Sequence, residues 1–166
     1  MNEVNTWLIQ RAKRVVKSHC LRQSIIMSKL ESFSFRGETL ATKLIETTEV
    51  FPGVVCDAYL HPETKERDLG IIYIEADRRT KPQRVLQGDQ TIEGYISGKG
   101  ELIIKKSNGE RLVFEVGPGS EGFAQNVEVG DIMQWRAAEQ EGLVVFEVCY
   151  PPYEAGRYEN LPDMLL

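Results

Sequence analysis

The distribution of apolar and polar residues along the chain predicts many short strands. Two apolar runs rich in β-branched residues, 91–97 and 101–104, flank a Ser-Gly-Lys-Gly segment. Glycine adopts a positive φ without strain, so Gly98 and Gly100 favour a tight reversal of the chain. The stretch 91–104 therefore predicts a β-hairpin.

Alternation of side-chain type predicts further strands on both sides of this hairpin. We expect strands at 54–60, 69–74, 111–116, 123–127 and 143–150, a turn into a strand over 129–135, and shorter strands around a turn at Gly37. Turn residues separate them, among them Pro52-Gly53 and Asn108-Gly109. Short strands with turns at roughly eight- to twelve-residue spacing are typical of an antiparallel barrel or sandwich.

The first part of the chain has a different pattern. Val4, Leu8 and Val15 recur near helical spacing, which predicts a helix over residues 4–22. Its basic face leaves three interpretations open: a transit peptide, a nucleic-acid-binding arm, or a helix packed on the barrel or on a second subunit. The last is favoured, since surface helices with a charged face are common. We expect a helical extension at 1–29 and a barrel domain at 30–166, with residues before Met27 dispensable for folding.

Charge and cysteine content narrow the classes of partner. The 166-residue chain has a net charge of -5, which argues against a nucleic-acid partner. Three widely spaced cysteines without a Cys-x-x-Cys pair favour a reduced, cytoplasmic protein. No apolar run reaches the ~20 residues that a membrane-spanning helix needs, so no membrane partner is expected. The N-terminus lacks a signal-peptide pattern, so secretion is not expected either.

Two motifs in the second half resemble those of a known superfamily. Residues 98–102, Gly-Lys-Gly-Glu-Leu, are followed some thirty residues later by Val129-Gly130-Asp131. This arrangement resembles the central hairpin and the following Gly-Asp turn of the cupin superfamily, over residues 81–150. The resemblance implies an all-β fold, a cupin-like jelly-roll β-barrel (double-stranded β-helix) with a cavity at its centre.

The same resemblance shows which ligand residues are missing. Metal-binding cupins use a His-x-His pair, an acid and a later histidine. Here the pair falls near positions 84 and 86, or 85 and 87, and the acid falls on Thr91. The later histidine falls within 135–140, and none of these positions holds a histidine. No metal and no cofactor are therefore expected. A degenerate metal site formed by His61, Glu93 and Cys149 is the alternative.

The alignment with cupins also predicts a polar pocket. Arg84, Thr91, Glu93 and Tyr95 share the inward parity of the missing ligands. Arg84 would bind an anion or a carbonyl group, while Glu93 and Tyr95 would act in acid–base chemistry. A shift of one residue would instead turn Ile92 and Ile96 toward the core and Glu93 and Tyr95 toward solvent. The pocket register is favoured, with the isoleucines buried under a second subunit.

The complete set of candidate site residues has two parts. The candidate catalytic residues are Glu93, Tyr95 and His61, and the candidate substrate-binding residues are Arg84, Gln87, Thr91, Trp135 and Glu147. His61 could equally be a surface histidine, Trp135 could simply fill the core, and Glu147 could face solvent. Cys149 is expected to be a small buried hydrophobic residue.

Two classes of function follow from these residues. The first is a metal-independent isomerase, epimerase or lyase that acts on a sugar or a keto acid. The second is a non-catalytic module that binds or senses a small molecule. In both cases the partner is a small-molecule ligand in the barrel cavity, and the protein is expected to form a homodimer.

Overall fold

The computed structural model describes residues 30–163, which form thirteen strands and contain no α-helix. The strands are β1 Ser32–Phe35, β2 Glu38–Ala41, β3 Lys43–Phe51, β4 Val54–Leu60, β5 Asp68–Ile74, β6 Gln83–Val85, β7 Gln90–Gly98, β8 Gly100–Lys105, β9 Arg111–Val116, β10 Ala124–Val127, β11 Ile132–Ala137, β12 Leu143–Tyr150 and β13 Tyr158–Asn160. Nothing in this part of the chain is a helix able to cross a membrane. The helix predicted at 4–22 lies outside the described residues.

The strands form two antiparallel sheets and a separate hairpin. One sheet has six strands in the order β10-β7-β12-β5-β4-β3, and the other has five in the order β13-β6-β11-β8-β9. One hydrophobic core contains side chains of both sheets, including Val54, Leu102, Trp135 and Val145. The sheets therefore face each other, and the predicted all-β jelly-roll fold is confirmed.

Strand β7 has buried residues on both of its faces. Tyr95 belongs to the core between the sheets, whereas Ile92 packs with Phe146 and Val148 in a second cluster. Since successive residues of a strand point to opposite sides, Glu93 faces the interior together with Tyr95. The register that places Glu93 in the interior is therefore the correct one.

The β1–β2 hairpin covers the outer face of the six-stranded sheet. The ring of Phe146 lies 5.0 Å from that of Phe33 and 5.6 Å from that of Phe35, measured between centroids. Ile92 is fully buried in the same cluster. The chain itself thus buries Ile92, and no second subunit is needed. Ile96 is 39% exposed.

Two three-residue strands were not predicted. β6 follows Pro82, and β13 lies in the C-terminal segment after Pro151 and Pro152. β13 pairs with β6 at the edge of the five-stranded sheet. The C-terminal segment therefore returns to the barrel and forms the edge of this sheet.

The packing of Phe146 over Gly94 gives a test of the fold. A Cβ atom at Gly94 would lie 2.0 Å from Cζ of Phe146. Gly94→Ala should therefore force the aromatic cluster apart and lower the free energy of unfolding by about 1–3 kcal/mol. Gly117 is the matched control, because its nearest neighbour would be Cγ of Lys99 at 3.8 Å. Denaturant unfolding should show a wild-type midpoint for Gly117→Ala, and the same midpoint for Gly94→Ala would contradict this packing.

Candidate active site

The centre of the candidate site is the carboxyl group of Glu93. Its side chain is 1% exposed, and it lies directly opposite Glu147 of β12 and Gln125 of β10. The indole Nε1 of Trp135 donates a hydrogen bond of 2.6 Å to Oε2 of Glu93. Because Trp135 comes from the five-stranded sheet, this bond crosses the core and fixes the orientation of the carboxyl group.

The second oxygen of Glu93, Oε1, can share a proton with the carboxyl group of Glu147. Oε1 is buried and has no hydrogen-bond donor facing it. Two ionised carboxylates cannot bond to each other, but one proton between them allows a hydrogen bond. Burial raises the pKa of Glu93 well above its usual value, and the charge of Glu147 raises it further. Burial therefore favours the protonated form of Glu93, beside a partly exposed Glu147.

A thiol and a phenol extend this polar group along the barrel. Sγ of Cys149 lies 3.5 Å from Oε1 of Glu147 and 3.2 Å from the hydroxyl oxygen of Tyr158. Burial raises the pKa of the Cys149 thiol, and the carboxylates of Glu147 and Asp68 add to the effect. Burial and the charge of Glu147 likewise raise the pKa of Tyr158. Both groups are protonated at neutral pH and can donate hydrogen bonds.

Asp68 is a third carboxyl group near this end of the barrel. Its two oxygens accept hydrogen bonds from the backbone N–H of Tyr153, at 2.7 Å, and of Cys149, at 3.3 Å. Burial raises the pKa of Asp68 to about 6, although these two bonds act in the opposite direction. Asp68 therefore changes its charge close to neutral pH and anchors the C-terminal segment at Tyr153.

Arg157 holds the C-terminal segment against the sheet. It is 2% exposed, and its Nη2 donates hydrogen bonds to the carbonyl oxygen of Gln90, at 2.7 Å, and to Oγ1 of Thr91, at 3.1 Å. Its Nη1 donates to the carbonyl oxygen of Pro151, at 3.0 Å. Backbone carbonyls thus solvate a buried guanidinium group that forms no salt bridge within residues 30–163.

Four of the predicted site residues lie beside Glu93. Glu147 and Trp135 contact its carboxyl group. Thr91 and Tyr95 flank Glu93 on the same face of β7, where Thr91 binds Arg157 and the hydroxyl of Tyr95 donates to the carbonyl oxygen of Gly98 at 3.0 Å. The hydroxyl of Tyr95 is therefore engaged by the turn that follows β7, and it does not point at the acid pair.

The predicted pairing of Arg84 with Glu93 is wrong. Arg84 forms a salt bridge of 2.9 Å with Glu159, and their side chains are 39% and 47% exposed. The neighbouring Val85 lies in the core, so the strand parity puts Arg84 on the outer face of its sheet. Gln87 is exposed in the loop after β6 and does not line the site.

His61 lies on the other side of the six-stranded sheet. Its Nδ1 lies 2.9 Å from the carbonyl oxygen of Ala41, at the end of the covering hairpin. It shares its strand face with Tyr59, which belongs to the outer cluster. Glu93 and Cys149 face the interior, so the alternative metal site of His61, Glu93 and Cys149 is not formed. Residues 30–163 contain no other group of three or more such side chains that could hold a metal ion.

Sequence reasoning missed three residues of this region, Asp68, Arg157 and Tyr158. It named Cys149 only as a buried hydrophobic residue or as a ligand of the alternative metal site, although Cys149 shares the parity of Glu147 within β12. Asp68 is the first residue of β5, and Arg157 and Tyr158 lie in the C-terminal segment that pairs with β6.

Comparison with known proteins supports the fold. No protein-family model and no curated protein matches the sequence. Among solved structures, oxalate decarboxylase from Lactobacillus farciminis, in a formate complex, has a TM-score of 0.59 and 12% identity over 70% of this chain. The capsular polysaccharide assembling protein CapF from Staphylococcus aureus has a TM-score of 0.56 and 11% identity over 72% of this chain. The chain spans only 33% and 34% of these two proteins.

A third structure is closer in size. Streptomyces PAC13, in a complex with uridine, has a TM-score of 0.53 and 10% identity, and the match covers 73% of this chain and 91% of PAC13. At these identities the similarity defines the fold alone. Residues 30–163 thus have the cupin fold, without histidine at the positions where the resemblance places the ligands of metal-binding cupins. The cupin-like fold that the two glycine-containing motifs implied is confirmed.

Substitution of Glu93 tests the buried acid. Glu93→Ala leaves the indole N–H of Trp135 without an acceptor and opens a cavity, so it should cost well over the ~0.5 kcal/mol of a surface change. Glu93→Gln keeps an acceptor for Trp135 and adds a donor toward Glu147. Because the pKa of Glu93 is higher in the folded than in the unfolded wild type, the folded state binds more protons above the usual carboxyl range. The free energy of unfolding of the wild type therefore falls as pH rises through that range. The glutamine variant should therefore gain stability relative to wild type as pH rises.

Denaturant unfolding of both variants from pH 5 to pH 8 measures these effects. Glu115→Gln, an exposed position on β9, is the control and should follow the wild type throughout. Wild-type midpoints for Glu93→Ala at every pH would show that the carboxyl group is not buried.

Asp68 makes a separate contribution to the pH dependence. Its folded-state pKa of about 6 exceeds the usual value of 3.8. The folded state therefore holds more protons between these two values, and the free energy of unfolding falls as pH rises from 4 to 6 by an amount on the order of 2–3 kcal/mol. Asp68→Asn retains an acceptor for Tyr153 and should lose this slope. Unfolding measured at pH 4, 5, 6 and 7 tests the prediction, with exposed Asp89→Asn as the control; an unchanged slope in Asp68→Asn would contradict it.

Proposed function

We propose that this protein is a metal-independent enzyme that moves a proton to and from a small polar substrate, a sugar or a keto acid, in an isomerase, epimerase or lyase reaction. The observation that carries the proposal is the acid pair. The pKa of the fully buried Glu93 is raised by burial and by the neighbouring, partly exposed Glu147, and a tryptophan fixes the orientation of its carboxyl group. Buried carboxyl groups with strongly shifted pKa values are frequent at catalytic sites.

The two carboxyl groups have different roles in this proposal. Glu147 is reached from solvent and is the base that removes a proton from the carbon next to a substrate carbonyl. The electron pair of the broken C–H bond moves into the carbonyl group to give an enolate. Glu147, which then carries the proton, returns it to that carbon or, in an isomerisation, to the neighbouring carbon. Glu93 acts through Glu147 by sharing a proton with it, so Glu93 is a positioning residue.

The donor groups around the acids support the same chemistry. Cys149 and Tyr158 keep their protons at neutral pH because burial raises the pKa of each. Groups of this kind can donate hydrogen bonds to an oxygen that gains negative charge. The whole sequence contains two histidines, His19 and His61, which is too few for the histidine set of a metal-binding cupin. The residues present therefore fit proton transfer better than metal chemistry.

The structural neighbours support a small polar substrate. Their names and ligands include oxalate decarboxylase and a uridine complex. Both oxalate and uridine are small polar molecules, and this is the class that the carboxyl, thiol and phenol groups of the barrel can bind. The acid pair suits a sugar and a keto acid equally, since both carry a carbonyl group next to an acidic C–H bond.

The alternative is a non-catalytic binding module. Core side chains surround Glu93, and two concavities of the described surface, of about 420 and 410 Å³, are lined by other residues. If the protein binds its ligand in one of these two concavities, the acid pair only stabilises the fold and takes no part in a reaction. Proton exchange separates the two functions, since a binding module does not catalyse it.

The experiment is hydrogen–deuterium exchange into a panel of aldoses, ketoses and 2-keto acids in D₂O, followed by proton NMR. The wild type should exchange the hydrogen next to the carbonyl of at least one compound, and the rate should survive dialysis against EDTA. Glu147→Gln should abolish the exchange. Glu93→Gln should retain some activity but displace the pH–rate profile, because the shared proton is lost.

Glu115→Gln serves again as the surface control and should exchange at the wild-type rate. If EDTA removes the activity, the reaction depends on a metal. Absence of exchange in every compound, with all variants folded, would favour the binding module.

A further inference from the structure

A second polar concavity lies on the outside of the barrel. It has a volume of about 410 Å³ and is lined by Pro52, Asp77, Arg78, Arg79, Arg136 and Ala137. These residues come from the β3–β4 turn, the loop between β5 and β6, and the end of β11. We refer to it as the arginine concavity. It shares no residue with the candidate active site, so the inference below is independent of the proposed function.

The backbone places two of the arginines side by side. Arg79 and Arg136 are partners in an isolated antiparallel bridge. The flanking hydrogen bonds run from Thr80 N to Trp135 O, at 3.0 Å, and from Ala137 N to Arg78 O, at 2.9 Å. Arg79 and Arg136 are therefore a non-hydrogen-bonded pair, in which the side chains are closest. Like charges in this position repel each other, so the pair costs stability unless an anion offsets the charge.

The carboxylates nearby offset this charge only weakly. Arg79 lies 3.6 Å from Asp163, with both side chains about half exposed, and Arg136 lies 3.6 Å from Glu101. Neither separation is short enough for a good hydrogen bond. Arg78 forms no ion pair within residues 30–163. Asp77 is the one acid in the lining, so three guanidinium groups and one carboxylate leave a net positive concavity on a chain of net charge -5.

One of the arginines is held in place without a bound anion. Nε of Arg136 donates a hydrogen bond of 2.8 Å to Oε1 of Gln134, whose own amide nitrogen donates to the carbonyl oxygen of Thr80 at 2.7 Å. Gln134 is 1% exposed. This buried amide fixes the Nε edge of Arg136, which lines the concavity. The orientation is thus prepared before a ligand binds, which lowers the entropy cost of binding.

We propose that the arginine concavity binds a phosphate-bearing small molecule. Guanidinium groups match the oxygens of phosphate with paired hydrogen bonds, and a phosphate monoester carries the double negative charge that balances the net charge of the lining. A volume of about 410 Å³ exceeds that of a phosphate group and leaves room for the molecule that carries it. The ligand is therefore a phosphorylated metabolite of small size, bound through its phosphate.

Isothermal titration calorimetry with inorganic phosphate, pyrophosphate and glycerol 3-phosphate tests the proposal, and citrate serves as a carboxylate comparator. At least one phosphate compound should bind saturably with a stoichiometry of one per chain. Arg78→Gln and Arg79→Gln should each weaken that binding at least tenfold. Arg111→Gln, which removes an exposed charge on β9, is the matched control and should bind as the wild type does.

The comparison of probes separates the sources of the phosphate. Tighter binding of glycerol 3-phosphate than of inorganic phosphate supports a metabolite that is held through its ester, and equal binding supports a site for the free anion. Citrate binding as tight as any phosphate compound would overturn the assignment to phosphate. If Arg111→Gln weakens phosphate binding as much as the other two variants do, the loss comes from the lower overall charge and the proposed site is wrong. Absence of saturable binding would also contradict the site.

Discussion

The hydrogen bond between Trp135 and Glu93 joins the two sheets and determines how the interior is arranged. It measures 2.6 Å and lies in the core, where neither partner meets solvent. A carboxylate in such a place is costly, and it is tolerated when a donor binds one oxygen and a proton neutralises the charge. Trp135 supplies the donor, and the partner across the ladder, Glu147, lies where the proton can be shared. The direction of Oε2 toward the indole leaves Oε1 free for that sharing.

The hydrogen bond between Trp135 and Glu93 requires the register of β7 in which Glu93 faces the core. This strand also shows how much of the structure the sequence could predict. The bounds of β4, β9 and β12 were predicted correctly, since turn residues lie at both ends of each strand. Alternation alone could not orient β7, because Ile92 and Tyr95 are both buried, on opposite faces. The cupin resemblance chose the face of Glu93 correctly through the position of the glycine turn. The β1–β2 hairpin then explains why Ile92 is buried without a second subunit.

The incorrect placements involve short or distant segments. β6 has three residues, too few to show alternation, and its parity was assigned by counting back across a loop. Arg84 was therefore placed inside, while Val85 occupies the core. Arg157 and Tyr158 reach the barrel only because β13 pairs with β6, some seventy residues earlier. Such a pairing has no local signal in the sequence, so the C-terminal half of the candidate site could not be predicted.

Consecutive residues of β11 serve the two regions to which functions are proposed. Trp135 points into the core and holds Glu93, whereas Arg136 points outward into the arginine concavity. Thr80 contacts the backbone of Trp135 through both its main chain and its hydroxyl, and its carbonyl oxygen accepts from Gln134. The loop that carries Arg78 and Arg79 is thus fastened to β11 at the residue that orients the acid. An anion that pulls the three arginines together would therefore stiffen the strand that holds Glu93, although the two sites share no side chain.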